Sequence, residues 1–276
     1  MVKRLRKWLK SAAGKISVFL LIIIIILLII ACSSWGDFTD RTANNINNIL
    51  FGMATNLLGI IVTVSFVQFF IDKQNHDVEK KNEREEILRY NRILSIFIEQ
   101  YTLYFRCITT SFSEDKRTDY KLNKDFNFRD MGEMYEQNRY MTEGLLEPAI
   151  SVFYRFEDKI REYMISMLNN ISFKYYTEIE NILEEFVEKS FSLDTRGNIL
   201  GNISLMWDKE KKIKDVISES IKDTNYDWIE IISQSKNANI MRPYVQLYFL
   251  LKKEADLLNK YREKVDKLDT EKSTYI

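Results

Sequence analysis

The chain has 276 residues and 46% hydrophobic content but a mean hydropathy of only -0.26, so its apolar residues are concentrated in a few stretches. One His, two Cys, eight Gly and two Pro are too few for a His-based metal centre, a Cys-cluster zinc site, a disulfide framework or a glycine-rich nucleotide loop, and no cofactor is expected. Forty Lys plus Arg balance forty Asp plus Glu, without the basic excess that a nucleic-acid binder uses to displace counterions from phosphate, so no nucleic acid is expected as a partner.

Residues 1–15 form a basic flank. Val2, Leu5, Leu9 and Ala12, with Trp8 beside them, would let it lie on anionic lipid, and a basic flank is also sufficient by itself to orient the first span. The first candidate transmembrane helix, 16–34, opens with seventeen residues free of charge. At helical rise such a run spans about 26 Å of a hydrocarbon core roughly 30 Å thick. A short external loop, 35–48, leads to a second uncharged run of twenty-three residues, 49–71, long enough to cross with some tilt. Within the first run Ile29-Ile30-Ala31-Cys32 resembles the bacterial lipobox, which implies a cleaved signal with lipid on Cys32. Cleavage there would leave the second span and its direction unchanged.

Orientation follows from the basic residues, which the cytoplasmic charge bias holds back. Six precede the first span (Lys3, Arg4, Arg6, Lys7, Lys10, Lys15), Arg41 alone lies in the loop, and six follow the second span closely (Lys73, Lys80, Lys81, Arg84, Arg89, Arg92). This places both termini in the cytoplasm and makes the spans a hairpin in the bacterial inner (plasma) membrane.

The second span has a face of its own. At about 100° per residue Asn45, Asn48, Gly52, Thr55, Asn56, Gly59 and Thr63 fall on one arc, with Thr55, Gly59 and Thr63 forming a ladder of small residues. Such a face lets another helix approach closely, either the first span, whose Ile and Leu would fill the glycine notches, or a second copy of the chain.

Residues 72–276 carry 33 basic against 38 acidic side chains, a mildly acidic balance that puts the weight on protein contacts or the membrane. Ile87, Leu94, Ile98, Tyr101, Phe105 and Ile108 follow heptad spacing, so the second span is expected to continue as a long juxtamembrane helix. Its seam can pair within the domain, the favoured reading, or with an identical chain. The polar run 113–130 reads as a loop. Glu147-Pro148-Ala149 opens a helix reaching about Asn170, and further helices are expected near 173–191, 203–220, 227–235 and 244–268, with a turn at Thr195-Arg196-Gly197-Asn198. The expected fold is all-α: a transmembrane hairpin, a juxtamembrane helix and an elongated cytoplasmic helical bundle over 72–276.

Candidate chemistry is thin. His76 with Glu79 has ligand spacing, but bundle metal sites need two such pairs and there is one histidine. Cys107 lies in an apolar helical stretch without a catalytic base nearby in sequence, and Glu85-Glu86 and Glu184-Glu185 are neighbours that do not share a helix face. Lys209, Lys211, Lys212 and Lys214 could rest on phospholipid headgroups or simply be exposed.

The layout, together with Asn56-Leu57-Leu58-Gly59-Ile60-Ile61-Val62-Thr63 and Ile71-Asp72-Lys73 closing the span, resembles uncharacterised bacterial two-span membrane proteins with a cytoplasmic helical domain. The resemblance implies no catalytic residue. The expectation is a non-enzymatic inner-membrane protein whose partners are the lipid bilayer, a cytoplasmic protein bound as by a scaffold or sensor, and a second copy of the chain through the second span and the juxtamembrane heptads. The alternative is an oligomeric membrane-perturbing or pore-forming effector triggered through the cytoplasmic domain.

Overall fold

A computed structural model describes residues 12–33, 40–110, 122–136, 138–140, 146–207 and 210–273. The described residues are mostly helical, with one short two-stranded ladder. The helices are α1 (Ala12–Ala31), α2 (Asp40–Thr109), α3 (Ala149–Asn170), α4 (Thr177–Ser192), α5 (Arg196–Gly201), α6 (Ile213–Lys222), α7 (Trp228–Gln234) and α8 (Arg242–Ser273). A 3-10 helix, Phe128–Glu133, and two strands, β1 (Asn138–Tyr140) and β2 (Leu146–Pro148), lie between α2 and α3. The chain divides into two compact units, Met1–Lys80 and Lys81–Ile276, and α2 runs through the boundary as one helix.

In the first unit α1 and the apolar part of α2 are both long and apolar enough to cross a membrane. Most of their large apolar side chains are exposed, among them Phe19, Ile22, Ile29, Ile49, Phe66 and Phe69. The basic flank up to residue 11 lies outside the described residues, as do residue 34 at the end of the expected first span and 35–39 of the loop. The rest of the expected loop, from Asp40, is already helix: it holds no Gly or Pro to stop one, and Asp40 in the first turn suits the positive end of the helix dipole.

The second unit is built on the heptad stripe of α2. Ile87, Leu94, Ile98, Tyr101, Phe105 and Ile108 are each exposed by 1% or less, so the seam is paired inside its own domain. Its partners come from α3, from the 122–136 segment and from α8. Tyr101 meets Phe153 at 4.9 Å between ring centroids, Phe105 meets Phe126 at 5.7 Å, and Phe126 meets Tyr248 at 5.3 Å. Tilted and edge-on pairs of this kind add about 0.5–1.5 kcal/mol each beyond the area they bury. Helix α8 buries a broad face from Tyr244 to Leu268 because Leu, Tyr and Val recur there every three or four residues.

Of the expected loop 113–130, residues up to 121 lie outside the described residues; 122–127 are without regular structure, as expected, and 128–130 are 3-10 helix, but Leu122, Phe126 and Phe128 are core residues. Two local expectations are corrected. The turn at 195–198 is the start of α5, whose Ile199 is fully buried, and the helix expected over 203–220 begins only at Ile213. Before it Met206 bridges to Lys212, with Trp207 N–H donating to the Lys211 carbonyl at 2.8 Å. The β1–β2 ladder was not legible as alternation, being three residues a side.

The α3–α4 connection depends on one carboxylate. Phe173 has a φ of 47°, a left-handed conformation costly for a residue with a Cβ, and its ring is fully buried. That conformation turns successive N–H groups toward Glu83 of α2, itself 5% exposed. The Glu83 carboxylate accepts from the N–H groups of Lys174 (3.1 Å), Tyr175 (2.9 Å) and Tyr176 (3.2 Å) and from Ser172 Oγ (3.1 Å). It thereby supplies an anion at the start of α4, where the dipole favours one. Glu83→Ala is expected to destabilise the chain by about 3 kcal/mol, because it leaves several backbone donors unsatisfied together. Thermal unfolding followed by tyrosine circular dichroism measures the loss, and Glu83→Gln should recover part of it.

Candidate functional site

Two places gather polar chemistry. The first is the face of α2 carrying Gly52, Thr55, Asn56, Gly59 and Thr63, all exposed. On the opposite side Leu50, Ala54, Leu57, Ile61, Val64 and Gln68 are buried or half-buried, so the covered side of this stretch is the apolar one. An added Cβ at Gly52 or Gly59 would meet nothing within 4 Å, so no described atom fills the glycine notches. Thr55 and Thr63 turn their hydroxyls back onto the carbonyls of Phe51 (2.8 Å) and Gly59 (2.9 Å), which satisfies them without a second helix. Cys32 directly follows α1 with its N–H on the Leu28 carbonyl at 2.9 Å and its free thiol exposed.

The second place is a buried polar network in the other unit, and the sequence reading missed it. Helix α3 contributes Glu157, 1% exposed, together with Asp158 and Arg161; α4 contributes Ser190; the start of α5 contributes Arg196, with Asp194 just before it. Arg196 donates to Glu157 at 2.9 Å, to Asp158, and through Nε to Asp194 at 3.1 Å. Arg161 bonds Asp158 and Ser190 and sits 3.5 Å from Glu157, which also accepts from the Ser190 hydroxyl. The Arg196 guanidinium stands over the Tyr154 ring at 5.2 Å. Planar guanidinium forks suit this duty, since each can engage several carboxylate oxygens at once.

Further in, Glu254 of α8 is fully buried. Its Oε2 accepts from the Tyr101 hydroxyl at 2.6 Å, while its Oε1 has no hydrogen-bond partner. Burial raises the proton affinity of both carboxyls. Glu157 is pushed from 4.5 up to about 7 by desolvation, which Ser190, Arg196 and Arg161 only partly offset. Glu254 is pushed well above its ordinary range by desolvation and then by the Glu157 charge. A sequence signal existed: Glu157 sits on the apolar stripe of Phe153, Ile160 and Met164, and Glu254 sits among Leu250, Leu251, Leu257 and Leu258. Acids at core positions mark such networks.

A separate network of hydroxyls ties the 122–136 segment to α5 and α8. Tyr135 bonds the Ile199 carbonyl and the Tyr244 hydroxyl, each at 2.7 Å, and Asn202 donates to Tyr244 at 2.7 Å. Among the described residues no three His, Cys, Asp or Glu side chains are placed to hold a metal ion. His76 has its Nδ1 3.6 Å from Asp77, Cys107 is half-buried against the core, and Lys209 lies outside the described residues. What the buried network can do chemically is hold fixed charge and exchange protons.

Arg196→Ala is expected to cost about 3–5 kcal/mol, because it strips a buried carboxylate of its main counter-charge; denaturant unfolding measures this. The folded chain also holds the Glu157 proton more tightly than an unfolded chain does. This group's contribution to stability is therefore complete below pH 4.5 and lost as pH rises through about 7, a slope that unfolding midpoints taken across that window report.

Comparison with protein-family models, with curated proteins and with solved structures gives no match.

Proposed function

We propose that the chain is a two-span integral protein of the inner (plasma) membrane, both termini cytoplasmic, whose helical domain binds a cytoplasmic protein as a scaffold or sensor without catalysing a reaction. The observation that carries this is the contrast between the two units. The apolar stretches of α1 and α2 expose their Ile, Leu, Val and Phe, which only a hydrocarbon surrounding or another apolar surface would accept. The core helix of a soluble protein would instead be mostly covered. In Lys81–Ile276 the reverse holds, with apolar side chains and the strongest polar network turned inward. The distribution of Lys and Arg supports the orientation. The juxtamembrane seam is taken up inside its own domain, so the sites left for self-association are on the second span.

A second reading, oligomeric hairpins that perturb the bilayer, is favoured by the open small-residue face of α2. That face also makes the test clean. Nothing lies within 4 Å of an added Cβ at Gly59, and the residue lies on the exposed face, so a side chain there meets a second helix before it meets the rest of the described chain.

With a tag at each end, both tags are expected to resist protease in spheroplasts until the membrane is opened. Digestion of the carboxyl-terminal tag from outside would overturn the orientation. Gly59→Leu and Asn56→Leu are expected to reduce in-membrane self-association several-fold while leaving tag protection unchanged. Dye leakage from vesicles that disappears in both variants would select the second reading over the first.

A further inference from the structure

We propose that Glu157 and Glu254 form a proton-loaded latch: the closed junction of α2, α3, α4 and α8 holds a proton that the opened chain gives up, so a rise in pH loosens α8 from the domain.

The geometry sets the two acids apart. Glu157 faces two guanidinium groups and a hydroxyl, whereas Glu254 accepts from the Tyr101 hydroxyl alone and has a second oxygen with no partner. The charged and titratable groups that act on the pair come from the elements meeting here. Helix α3 brings Tyr154, Asp158 and Arg161 beside Glu157, α4 brings Ser190, the start of α5 brings Asp194 and Arg196, and α2 brings Tyr101. On α8 the neighbouring charges are engaged elsewhere: Lys253 with Glu185, and Asp256 with Lys260 and Lys124. The two arginines balance Asp158 and Asp194, so once Glu157 is ionised the cluster carries one negative charge in excess before Glu254 is counted.

An ionised Glu254 would add a second excess charge in a site without water access or a cation in contact. The neutral carboxyl is the form this geometry accepts, which agrees with the strong upward push on its proton affinity. The chemical step is one proton passing from the Glu254 carboxyl to solvent base, leaving a carboxylate that must be hydrated, and hydration requires α8 to part from Tyr101. Because the two acids repel, the proton belongs to the pair, and their titration is shared. The latch gives the proposed sensor a trigger. All its groups nevertheless lie in Lys81–Ile276, so it stands or falls apart from the placement of the spans.

The test uses the full chain in detergent micelles. Opening of α8 is read by amide hydrogen exchange, corrected for the intrinsic rate, from about pH 5 upward through the range in which Glu157 also titrates, in the unaltered chain and in Glu254→Gln side by side. While Glu254 keeps its proton in the closed chain, the opening constant of α8 amides should grow with pH more steeply in the unaltered chain than in Glu254→Gln, by about tenfold per pH unit, the signature of one further proton released. Glu254→Gln, a permanent copy of the neutral acid, should hold α8 closed with only the pH dependence that Glu157 contributes. The infrared carbonyl band of a protonated carboxyl, followed in the chain labelled with carbon-13 glutamate, should persist above the ordinary carboxylate range and lose the Glu254 contribution in Glu254→Gln. An unchanged slope in Glu254→Gln overturns the latch. If that variant does not fold, absence of the band from the labelled unaltered chain overturns it equally.

Discussion

Six side chains on one stripe of α2, from Ile87 to Ile108, lose essentially all contact with water, and the second unit is organised around covering them. At roughly 25 cal/mol per Å² of apolar surface, each such side chain contributes about 1.5–3 kcal/mol. Aromatic rings complete the cover, Phe153 of α3 and Phe126 ahead of the 3-10 helix, because a straight helical stripe needs bulk from several directions to close it. Helix α8 answers with its own long apolar face, which is why Tyr248 and Phe126 meet edge to face. The shorter helices fill what these elements leave.

Covering that stripe brings polar groups inside and obliges the fold to deal with them. Glu83 is drawn in at the start of the seam and serves as the acceptor for a strained connection, so its burial and the left-handed backbone at Phe173 are solved together. Glu157 is drawn in on α3 and is matched by Arg161 and Arg196. Glu254 is drawn in on α8 and finds a phenol but no cation. The same packing thus makes one carboxylate structural, one compensated and one proton-dependent, and the difference lies in the donors each meets rather than in the residue itself.

The helical class and the apolar spans were legible because they depend on local pattern: an uncharged run of sufficient length, and apolar residues returning every three or four positions. The heptad from Ile87 to Ile108 was legible for the same reason, though not what it would face. Misreadings fell where the pattern is short or mixed. Arg196-Gly197-Asn198 reads as a turn, yet burial of Ile199 keeps it helical, and the residues just before Ile213 share the helical composition of α6 while pairing across a bridge. The polar network escaped because its members are far apart in the chain: Glu83 meets Lys174 across 91 positions and Tyr101 meets Glu254 across 153.

By itself, then, the sequence determined the helices, the two stretches apolar enough for a bilayer, and the charge asymmetry around them, since length, period and charge are properties of neighbouring residues. Only the tertiary structure decided which acids lie in the dry interior, which donors they meet, and that the small-residue face of α2 is open while its opposite face is covered. Desolvation and hydrogen bonding act through space, between side chains that the chain order separates. The same glutamate is a solvated charge on one helix face and a buried proton carrier on another.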